Sequence, residues 1–355
     1  MSNPLRFALL GCGRVSGRYL EVFNDELKNA ALVACCDLNA SKSKFVASQS
    51  SFDTIAYTDW QKMLNNSKPD IVCVLTESGN HEQNVQDLLN ANMHVLVEKP
   101  VIMNPDRVNA LIETADAKHK MLTCVFQNRW NPAIKAVKRA YENERFGRII
   151  TATIRLRWCR YQDYYEDGWH GTWAMDGGVI NQQAIHHIDA LDWICGPIED
   201  VCAMGSNRLM KLEAEDTLVG IIKFKDGALG TIEATTAARP NDIEASLSIV
   251  GEQGTVVVGG IALNQIEEWS FIDPLPEDET ATKEFSQQVP TGYGLGHGPY
   301  LQEVTDRLLN GNFNPVLNAN DAVKAIEVNH ALYASWETGG WASRSNGALS
   351  AKLGK

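Results

Sequence analysis

The sequence predicts two domains: an α/β domain with a parallel sheet, followed by an α+β domain with an open, mostly antiparallel sheet. Up to residue 126, short apolar runs alternate with helical patterns, as expected of β-α-β units. After that point the runs lengthen, alternate between apolar and polar residues, and are joined by hairpin signals. A length of 355 residues also favours two domains. We therefore expect a first domain over 1–126 and a second over 127–355.

Buried strands of the first domain are predicted by short apolar runs that end in glycine or a polar residue. These runs are Leu5–Leu10, Ala31–Cys36, Asp70–Leu75, His94–Val97 and Met121–Phe126. The first helix is expected to continue to about Lys28. Asn104 followed by Pro105 predicts another helix start, because asparagine caps a helix and proline suits its first position.

The second domain is predicted to begin with a helix over Pro132–Glu144 and a long strand over Arg148–Trp158. A hairpin is expected at Asp226-Gly227, which joins two alternating runs. The later strands are Thr217–Phe224, Ala228–Thr235, Ala245–Val250 and Thr255–Val258, and the later helices lie near Gly178–Cys195, Tyr300–Asn310 and Ala319–Trp336. The last dozen residues are small and polar, and we expect them to form a mobile tail.

Composition argues against several classes of partner. The net charge of −12 and the lack of a basic stretch argue against nucleic acid and anionic membranes. No apolar run approaches the ~18 residues of a membrane span. No signal peptide is expected before the first strand, so we expect a cytoplasmic protein. The eight cysteines form no C-x-x-C pair, which argues against a zinc or redox site and fits reduced thiols.

A nucleotide-phosphate turn is predicted where the first strand meets the first helix. Gly11-Cys12-Gly13 lets the backbone approach a pyrophosphate, which the helix start at Arg14 and Val15 would hold. Ser16 replaces the third glycine of the usual G-x-G-x-x-G pattern. Asp37 ends the second strand, where an acid accepts hydrogen bonds from a ribose 2′-hydroxyl and repels a 2′-phosphate. We therefore expect NAD rather than NADP; the alternative for Asp37 is a turn residue at the strand end.

Two further positions suit hydride transfer from a secondary alcohol, which needs a base for the hydroxyl proton and a cation near the developing alkoxide. Lys99, between Glu98 and a proline, follows an apolar strand and can supply the cation; the alternative is a surface lysine. His186 titrates near neutrality and suits the acid/base role. A metal site that combines His186 with His187 and Asp189 is disfavoured, because adjacent helical residues point in different directions. We expect no metal.

These motifs together resemble the Gfo/Idh/MocA family of nicotinamide-dependent sugar oxidoreductases over nearly the whole chain. The matching residues are Gly11-Cys12-Gly13, Glu98-Lys99-Pro100, Gln127-Asn128-Arg129, Gly177-Gly178, and His186 with Asp189. The resemblance implies a Rossmann domain followed by an open-sheet domain. It implies NAD as the cofactor, bound in part by Glu98 and Lys99, with Lys99 and His186 as the catalytic pair near the nicotinamide. It also implies a homodimer or homotetramer whose interface is often the outer face of the sheet.

One departure from the family pattern indicates a subgroup. Many members carry an acid four residues before the histidine, where this chain has Gln182, preceded by Asn181. The chain also has the segment Trp169–Trp173 and a tyrosine-rich run that includes Tyr164. In these features it resembles members that oxidise UDP-N-acetylglucosaminuronate at C3 in the synthesis of lipopolysaccharide precursors.

The diphosphate and carboxylate of such a nucleotide sugar need arginines and polar donors. The candidates for substrate contact are Arg129, Arg157, Arg160, Tyr164, Asn181 and Gln182. In a regular strand Arg157 and Arg160 lie on opposite faces, so they converge only if the chain bends near Cys159; otherwise they are surface charges. Two other functions stay open: a dehydrogenase of a free sugar or inositol, or a non-catalytic NAD-binding regulator.

Overall fold

Two separate sheets organise the computed structural model, which describes residues 3–355. The strands of the first sheet are β1 (Leu5–Leu10), β2 (Ala30–Cys36), β3 (Ile55–Tyr57), β4 (Ile71–Val74), β5 (His94–Val97) and β6 (Leu122–Cys124). They are all parallel, in the order β3-β2-β1-β4-β5-β6. The order reverses between β1 and β4, so the carboxyl ends of these two strands form the switch point at which parallel sheets bind ligands.

The second sheet is open and mostly antiparallel, as predicted. Its strands are β7 (Ile149–Arg157), β8 (Ile198–Ser206), β9 (Thr217–Phe224), β10 (Leu229–Thr235), β11 (Glu244–Gly251), β12 (Gly254–Gly259), β13 (Gln265–Phe271) and β14 (Ala342–Ser343). They lie in the order β13-β12-β11-β7-β10-β9-β8-β14, and only β7 and β10 pair in parallel. Side chains alternate along each strand, so that Ile154 and Leu156 are buried while Arg155 is exposed on the outer face.

Ten α-helices accompany the two sheets within residues 3–355. They are α1 (Arg14–Glu21), α2 (Ala40–Gln49), α3 (Trp60–Ser67), α4 (His81–Asn90), α5 (Val108–Ala117), α6 (Pro132–Glu142), α7 (Ile185–Cys195), α8 (Asp278–Glu284), α9 (His297–Leu309) and α10 (Ala319–Thr338). Two π turns adjoin this set: Val22–Glu26 continues α1, and Ile180–Ala184 leads into α7. The predicted first helix therefore changes character at Glu21, and the predicted Gly178–Cys195 helix begins as a π turn.

The two compact units of the chain are not two contiguous segments. The first comprises the residues up to Phe126 together with His297–Val323, and the second comprises Gln127–Gly296 and Lys324–Lys355. The return segment belongs to the first unit because it bonds to β6: the Tyr300 hydroxyl donates to the Cys124 carbonyl at 2.6 Å, and the Leu317 amide donates to Thr123 Oγ1 at 3.0 Å. The structure thus differs from the division expected over 127–355.

The prediction of a mobile tail is wrong. Ser350 and Leu353 are 1% and 2% exposed. The Ser350 hydroxyl donates to Glu337 at 2.6 Å, and the Leu353 side chain lies against Gly177. The segment is mostly small and polar in sequence, yet one of its two leucine side chains, that of Leu353, is buried, which holds the tail in the second unit.

We predict that Leu353→Ala lowers the free energy of unfolding by roughly 2 kcal/mol, the low end for a buried leucine, because a terminal segment can relax around the cavity. Leu349→Ala is the matched control, since Leu349 is 41% exposed, and it should change the stability little. Urea denaturation of both variants measures the difference. Equal and small effects would contradict the buried anchor.

Candidate active site

The predicted phosphate turn lies at the carboxyl end of β1. Gly11 has a φ of +98°, and a Cβ there would lie 2.6 Å from the backbone carbonyl of Leu75, so only glycine fits. Gly13 is the N-cap of α1 without a side-chain cap, and the space where its Cβ would stand is open for 4 Å. Arg14 is exposed and Val15 half-buried in the first turn. Open space before uncapped helical amides fits an anionic phosphate group.

Asp37 follows β2 and holds this turn through a hydrogen bond. Its Oδ2 accepts the Cys12 amide at 2.8 Å, and its Oδ1 accepts the Asn39 amide at 2.8 Å. A carboxylate has about four acceptor positions, so these two bonds leave capacity for ribose hydroxyls. The half-buried carboxylate beside the glycine turn is the arrangement that a dinucleotide requires.

The turn that carries Lys99 is held by a buried carboxylate. Glu98 is 6% exposed, and its Oε1 accepts hydrogen bonds from the Tyr19 hydroxyl at 3.0 Å and from His297 Nε2 at 3.3 Å. Its Oε2 accepts the Lys99 amide at 3.2 Å. Burial alone would raise the pKa of Glu98, but the hydrogen bond and charge of His297, with the charge of Lys99, bring it below its usual value.

Glu98 therefore lies inside the first unit, and its contact with the cofactor stays a prediction. Its carboxylate fixes the backbone from which Lys99 extends. The Lys99 side chain itself is half-buried at the end of β5, the strand next to β4. A lysine so placed stands at the ligand-binding edge of the parallel sheet.

His81 connects this turn to the neighbouring one, and sequence reasoning missed it. Its Nδ1 lies 2.7 Å from the Pro100 carbonyl and its Nε2 lies 3.0 Å from the Thr76 carbonyl. Burial lowers the pKa of His81, opposed by the two carbonyl contacts. A neutral imidazole donates only one hydrogen bond, so the ring satisfies one of the two carbonyls at a time. No sequence signal marks it, because its partners lie in two other turns.

His186 stands one residue into α7, immediately after the π turn Ile180–Ala184. π turns of this kind recur at functional sites. His186 is half-buried, whereas the adjacent His187 is 1% exposed and packs edge-on against the Trp158 ring at 6.0 Å. Burial lowers the pKa of His187 to about 4, so it is neutral at pH 7 and its side chain belongs to the core.

The two polar residues before the histidine differ in their surroundings. Asn181 is fully buried: its Nδ2 donates to the Asp176 carbonyl at 2.6 Å, and its Oδ1 accepts from Asn329 at 3.0 Å. These bonds hold Asn181 within the second unit, and its contact with the substrate stays a prediction. Gln182 is 8% exposed, and its backbone amide donates to the Gly178 carbonyl.

Two of the candidate arginines are neutralised by carboxylates. Arg129 is 8% exposed and makes a bidentate pair with Asp189, at 2.8 and 2.7 Å. Arg157 lies on the outer face of the second sheet, where it pairs with Glu233 at 2.6 Å and with Glu244 at 3.4 Å. Both arginines therefore have carboxylate partners within the protein, and their contact with the substrate stays a prediction.

Arg160 lies three residues beyond Arg157, the last residue of β7, and has different partners. Its guanidinium lies over the ring of Trp158 at 5.0 Å and near that of Tyr164 at 5.6 Å, and it pairs with Asp242 at 3.1 Å. Tyr164 is half-buried. Arg239, which the sequence did not single out, donates to the Arg160 carbonyl at 2.8 Å. The two arginines thus lie next to each other.

Two family models match the chain in tandem. The model described as an oxidoreductase family with an NAD-binding Rossmann fold matches residues 5–126, and the model of the GFO/IDH/MocA C-terminal domain matches residues 134–257. The chain belongs to the Gfo/Idh/MocA family. Its first unit is an NAD-binding Rossmann domain, in agreement with the turn and carboxylate described above, and NAD is the cofactor.

Solved structures extend this similarity over almost the whole chain. The WlbA dehydrogenases of Chromobacterium violaceum and Bordetella pertussis, each in complex with NADH and UDP-GlcNAcA, are both 33% identical to it. Each alignment covers 96% of this chain, with 96% and 98% of the respective neighbours and TM-scores of 0.87 and 0.88. Among curated relatives, the inositol 2-dehydrogenase of Rubrobacter xylanophilus is 29% identical over 72% of both chains, and the D-glucoside 3-dehydrogenase of Escherichia coli is 27% identical over 66% of this chain and 71% of its own.

Neither a membrane-spanning helix nor a metal-binding cluster is present within residues 3–355. No helix in this range is long and apolar enough to cross a membrane. No group of three or more histidine, cysteine, aspartate or glutamate side chains in the same range is arranged to hold a metal ion.

We predict that Asp37→Ser narrows the preference for NADH over NADPH by at least about tenfold, because it removes a charge that repels a 2′-phosphate. Fluorescence titration of the two reduced cofactors measures both dissociation constants. Asp53→Ser is the control, since Asp53 is an exposed aspartate of the same unit. An unchanged ratio in Asp37→Ser would place the ribose contact elsewhere.

Proposed function

We propose that this protein is an NAD-dependent dehydrogenase that oxidises the C3 hydroxyl of UDP-N-acetylglucosaminuronate, in the synthesis of a surface-polysaccharide precursor. The observation that supports it most is the 33% identity, over 96% of the chain, to dehydrogenases solved with NADH and UDP-GlcNAcA. The segment Trp169–Trp173 and the pair Asn181-Gln182 support the same substrate through the sequence resemblance.

The residues that would hold the cofactor are the backbone of Gly11–Val15, for the pyrophosphate, and Asp37, for the ribose. When bound, NAD accepts the hydride that leaves the oxidised carbon. Asp37 also keeps the glycine turn in shape through the Cys12 amide. The role of these residues is to bind and orient the dinucleotide.

Lys99 and His186 are proposed to share the proton chemistry. The Lys99 ammonium would stabilise the negative charge that develops on the sugar oxygen, and His186 would take the hydroxyl proton. Each is attached to a rigid element of its own unit: Lys99 to the turn bonded by Glu98, and His186 to α7 behind its π turn. Rigid attachment suits catalysis, because misplacement of a reacting group by ~1 Å costs rate.

Arg160 is the arginine that we propose for the anionic part of the substrate. Arg129 and Arg157 are each neutralised by carboxylates. Arg160 also pairs with a carboxylate, that of Asp242, but its guanidinium lies in addition beside the aromatic rings of Trp158 and Tyr164, and its carbonyl accepts from Arg239. A guanidinium in these surroundings suits a phosphate or carboxylate group.

The substrate test compares NAD reduction with UDP-N-acetylglucosaminuronate, free glucosides and myo-inositol, each with a 2-oxoacid added in a parallel reaction to oxidise tightly held NADH. Activity with the nucleotide sugar alone is the expected result. Activity with only a free sugar or inositol would keep the dehydrogenase and overturn the substrate. NAD binding without turnover of any compound would instead favour a regulator.

We predict that Lys99→Met lowers turnover by at least about a hundredfold, because it removes the cation at the developing alkoxide. The dissociation constant of NADH should stay within about twofold, since the phosphate turn and Asp37 are untouched. Stopped-flow or steady-state kinetics with a fluorescence titration gives both values. Lys44→Met, at an exposed lysine of the same unit, is the control. Equal loss of turnover and of NADH affinity would make Lys99 structural.

We further propose a homo-oligomer that forms through the outer face of the second sheet. This face carries exposed apolar side chains: Met204, Val219, Ile221, Leu229 and Val250, from 37% to 76% exposed. Beside them, Arg155 and Arg157 alternate with Glu233 and Glu244, so the face offers both signs of charge. An apolar face with paired charges is self-complementary, as an interface between identical chains requires.

Ile221→Glu is expected to reduce the molar mass in solution at least about twofold, because it places a charge in the apolar part of this face. Size-exclusion chromatography with light scattering measures the mass. Leu38→Glu is the control: Leu38 is 95% exposed and lies in the first unit. A wild-type monomer at micromolar concentration, or an oligomer that survives Ile221→Glu, would contradict the proposal.

A further inference from the structure

Glu215 is a fully buried carboxyl group whose role neither the sequence nor the proposed chemistry explains. It lies two residues before β9, at 0% exposure. Its Oε1 accepts the Ile180 amide at 3.0 Å and the Tyr333 hydroxyl at 3.0 Å. Its backbone carbonyl accepts the Val179 amide at 3.0 Å. Glu215 therefore contacts the beginning of the segment that carries His186.

Three consecutive amides at this point are held by Glu215 and Tyr333. The Gly178 amide donates to the Tyr333 hydroxyl at 3.0 Å, and the Val179 and Ile180 amides donate to Glu215. The first amides of a helix have no partner within the helix and need acceptors from outside. The π turn and α7 continue directly from these residues. The hydrogen bonds to Glu215 and Tyr333 therefore fix the point from which the segment that carries His186 starts.

The second oxygen of Glu215 faces no donor. Oε2 is buried without a hydrogen-bond partner and stands against Gly178, where any Cβ would collide with it. The titratable side chains around it are Tyr333 on α10, Asp216 next to it, and Asp176 in the segment before the π turn. Within residues 3–355, no lysine, arginine or histidine forms an ion pair with Glu215.

A buried carboxyl group without a cation nearby is more stable in its neutral form, because an unpaired charge in the interior is costly. Burial raises the pKa of Glu215 to about 8, although the Ile180 amide and the Tyr333 hydroxyl oppose the shift. Oε1 is occupied by two donors, so the proton of the neutral acid belongs on Oε2.

We propose that Glu215 is a positioning residue for His186: as a neutral acid, together with Tyr333, it anchors the three amides from which the histidine's segment starts. This inference rests on the proposed function only in that His186 is taken as the group that accepts the proton. The anchor itself is a property of the second unit and is measurable without a substrate.

The neutral acid has a signature in stability. A carboxyl group whose pKa is higher in the folded state than in the unfolded state holds a proton that the unfolded chain has lost. The contribution of Glu215 to the free energy of unfolding therefore decreases as the pH rises from the ordinary pKa of glutamate to about 8. Glutamine keeps the Oε1 acceptor and does not titrate, so Glu215→Gln lacks this part of the pH dependence.

The test compares the wild type with Glu215→Gln, Glu215→Ala and the control Glu213→Gln, which alters an exposed carboxylate two residues away. Thermal unfolding is measured from pH 5 to pH 8. Over this range the difference in melting temperature between Glu215→Gln and the wild type should increase by several degrees in favour of the variant. The difference between Glu213→Gln and the wild type should stay constant. Hydrogen exchange of a peptide spanning 176–186 should be faster in Glu215→Ala and near wild type in Glu215→Gln.

Kinetics then connect the anchor to His186. At pH 7, Glu215→Ala should lose kcat by about tenfold or more with little change in the KM for NAD, and Glu215→Gln should restore kcat to within about threefold of the wild type. If Glu215→Gln is as damaging as Glu215→Ala in exchange and kcat, or shows no pH trend in melting temperature, the neutral anchor is overturned. If the stability and exchange results hold while no alcohol substrate is turned over, the proposed function fails and the anchor stands.

Discussion

Glu98 lies buried under the turn that carries Lys99, and its two oxygens accept hydrogen bonds from Tyr19, His297 and the Lys99 amide. An ionised carboxylate in the interior persists only when donors and charge compensate for its lost hydration. The buried carboxylate is therefore stable only when the three segments that carry Tyr19, His297 and Lys99 are correctly assembled around it. Lys99, the lysine that we propose as catalytic, extends from this turn and is therefore attached to the packed core.

Other buried or half-buried carboxyl groups also hold nearby segments in place, but each is stabilised by different partners. Asp37 braces the glycine turn through the Cys12 amide, and Asp189 is neutralised by Arg129. Glu215 has no cation and, as we propose, stays neutral. Asp37 and Glu215 accept backbone amides next to the start of a helical segment, whereas Asp189, within α7, accepts from an arginine side chain.

Much of the fold followed from local pattern. The apolar runs gave five of the six strands of the parallel sheet, and the glycine turn and Lys99 were placed at the ends of β1 and β5. The return of His297–Val323 to the first unit was not predictable in this way, because it depends on Tyr300 and Leu317 bonding to β6. Such contacts join residues far apart in the chain, and no local period encodes them.

The candidate site was less predictable for the same reason. Residue type marked Arg129 and Arg157 as anion ligands, yet their partners Asp189 and Glu233 lie 60 and 76 positions away. Whether a charged side chain faces a ligand or an internal partner is decided by that distant carboxylate. The short π turn before α7 was likewise read as ordinary helix, since one additional residue in a turn leaves no compositional trace.

The buried carboxy-terminal segment has a practical consequence for anyone handling this protein. Leu353 touches Gly177, and Gly354 donates a backbone hydrogen bond to Trp173. A purification tag or fluorescent fusion attached after Lys355 would begin two residues from a side chain packed beside the segment that leads to His186. Labels and immobilisation chemistry are better attached at other positions, so that handling does not perturb the region under study.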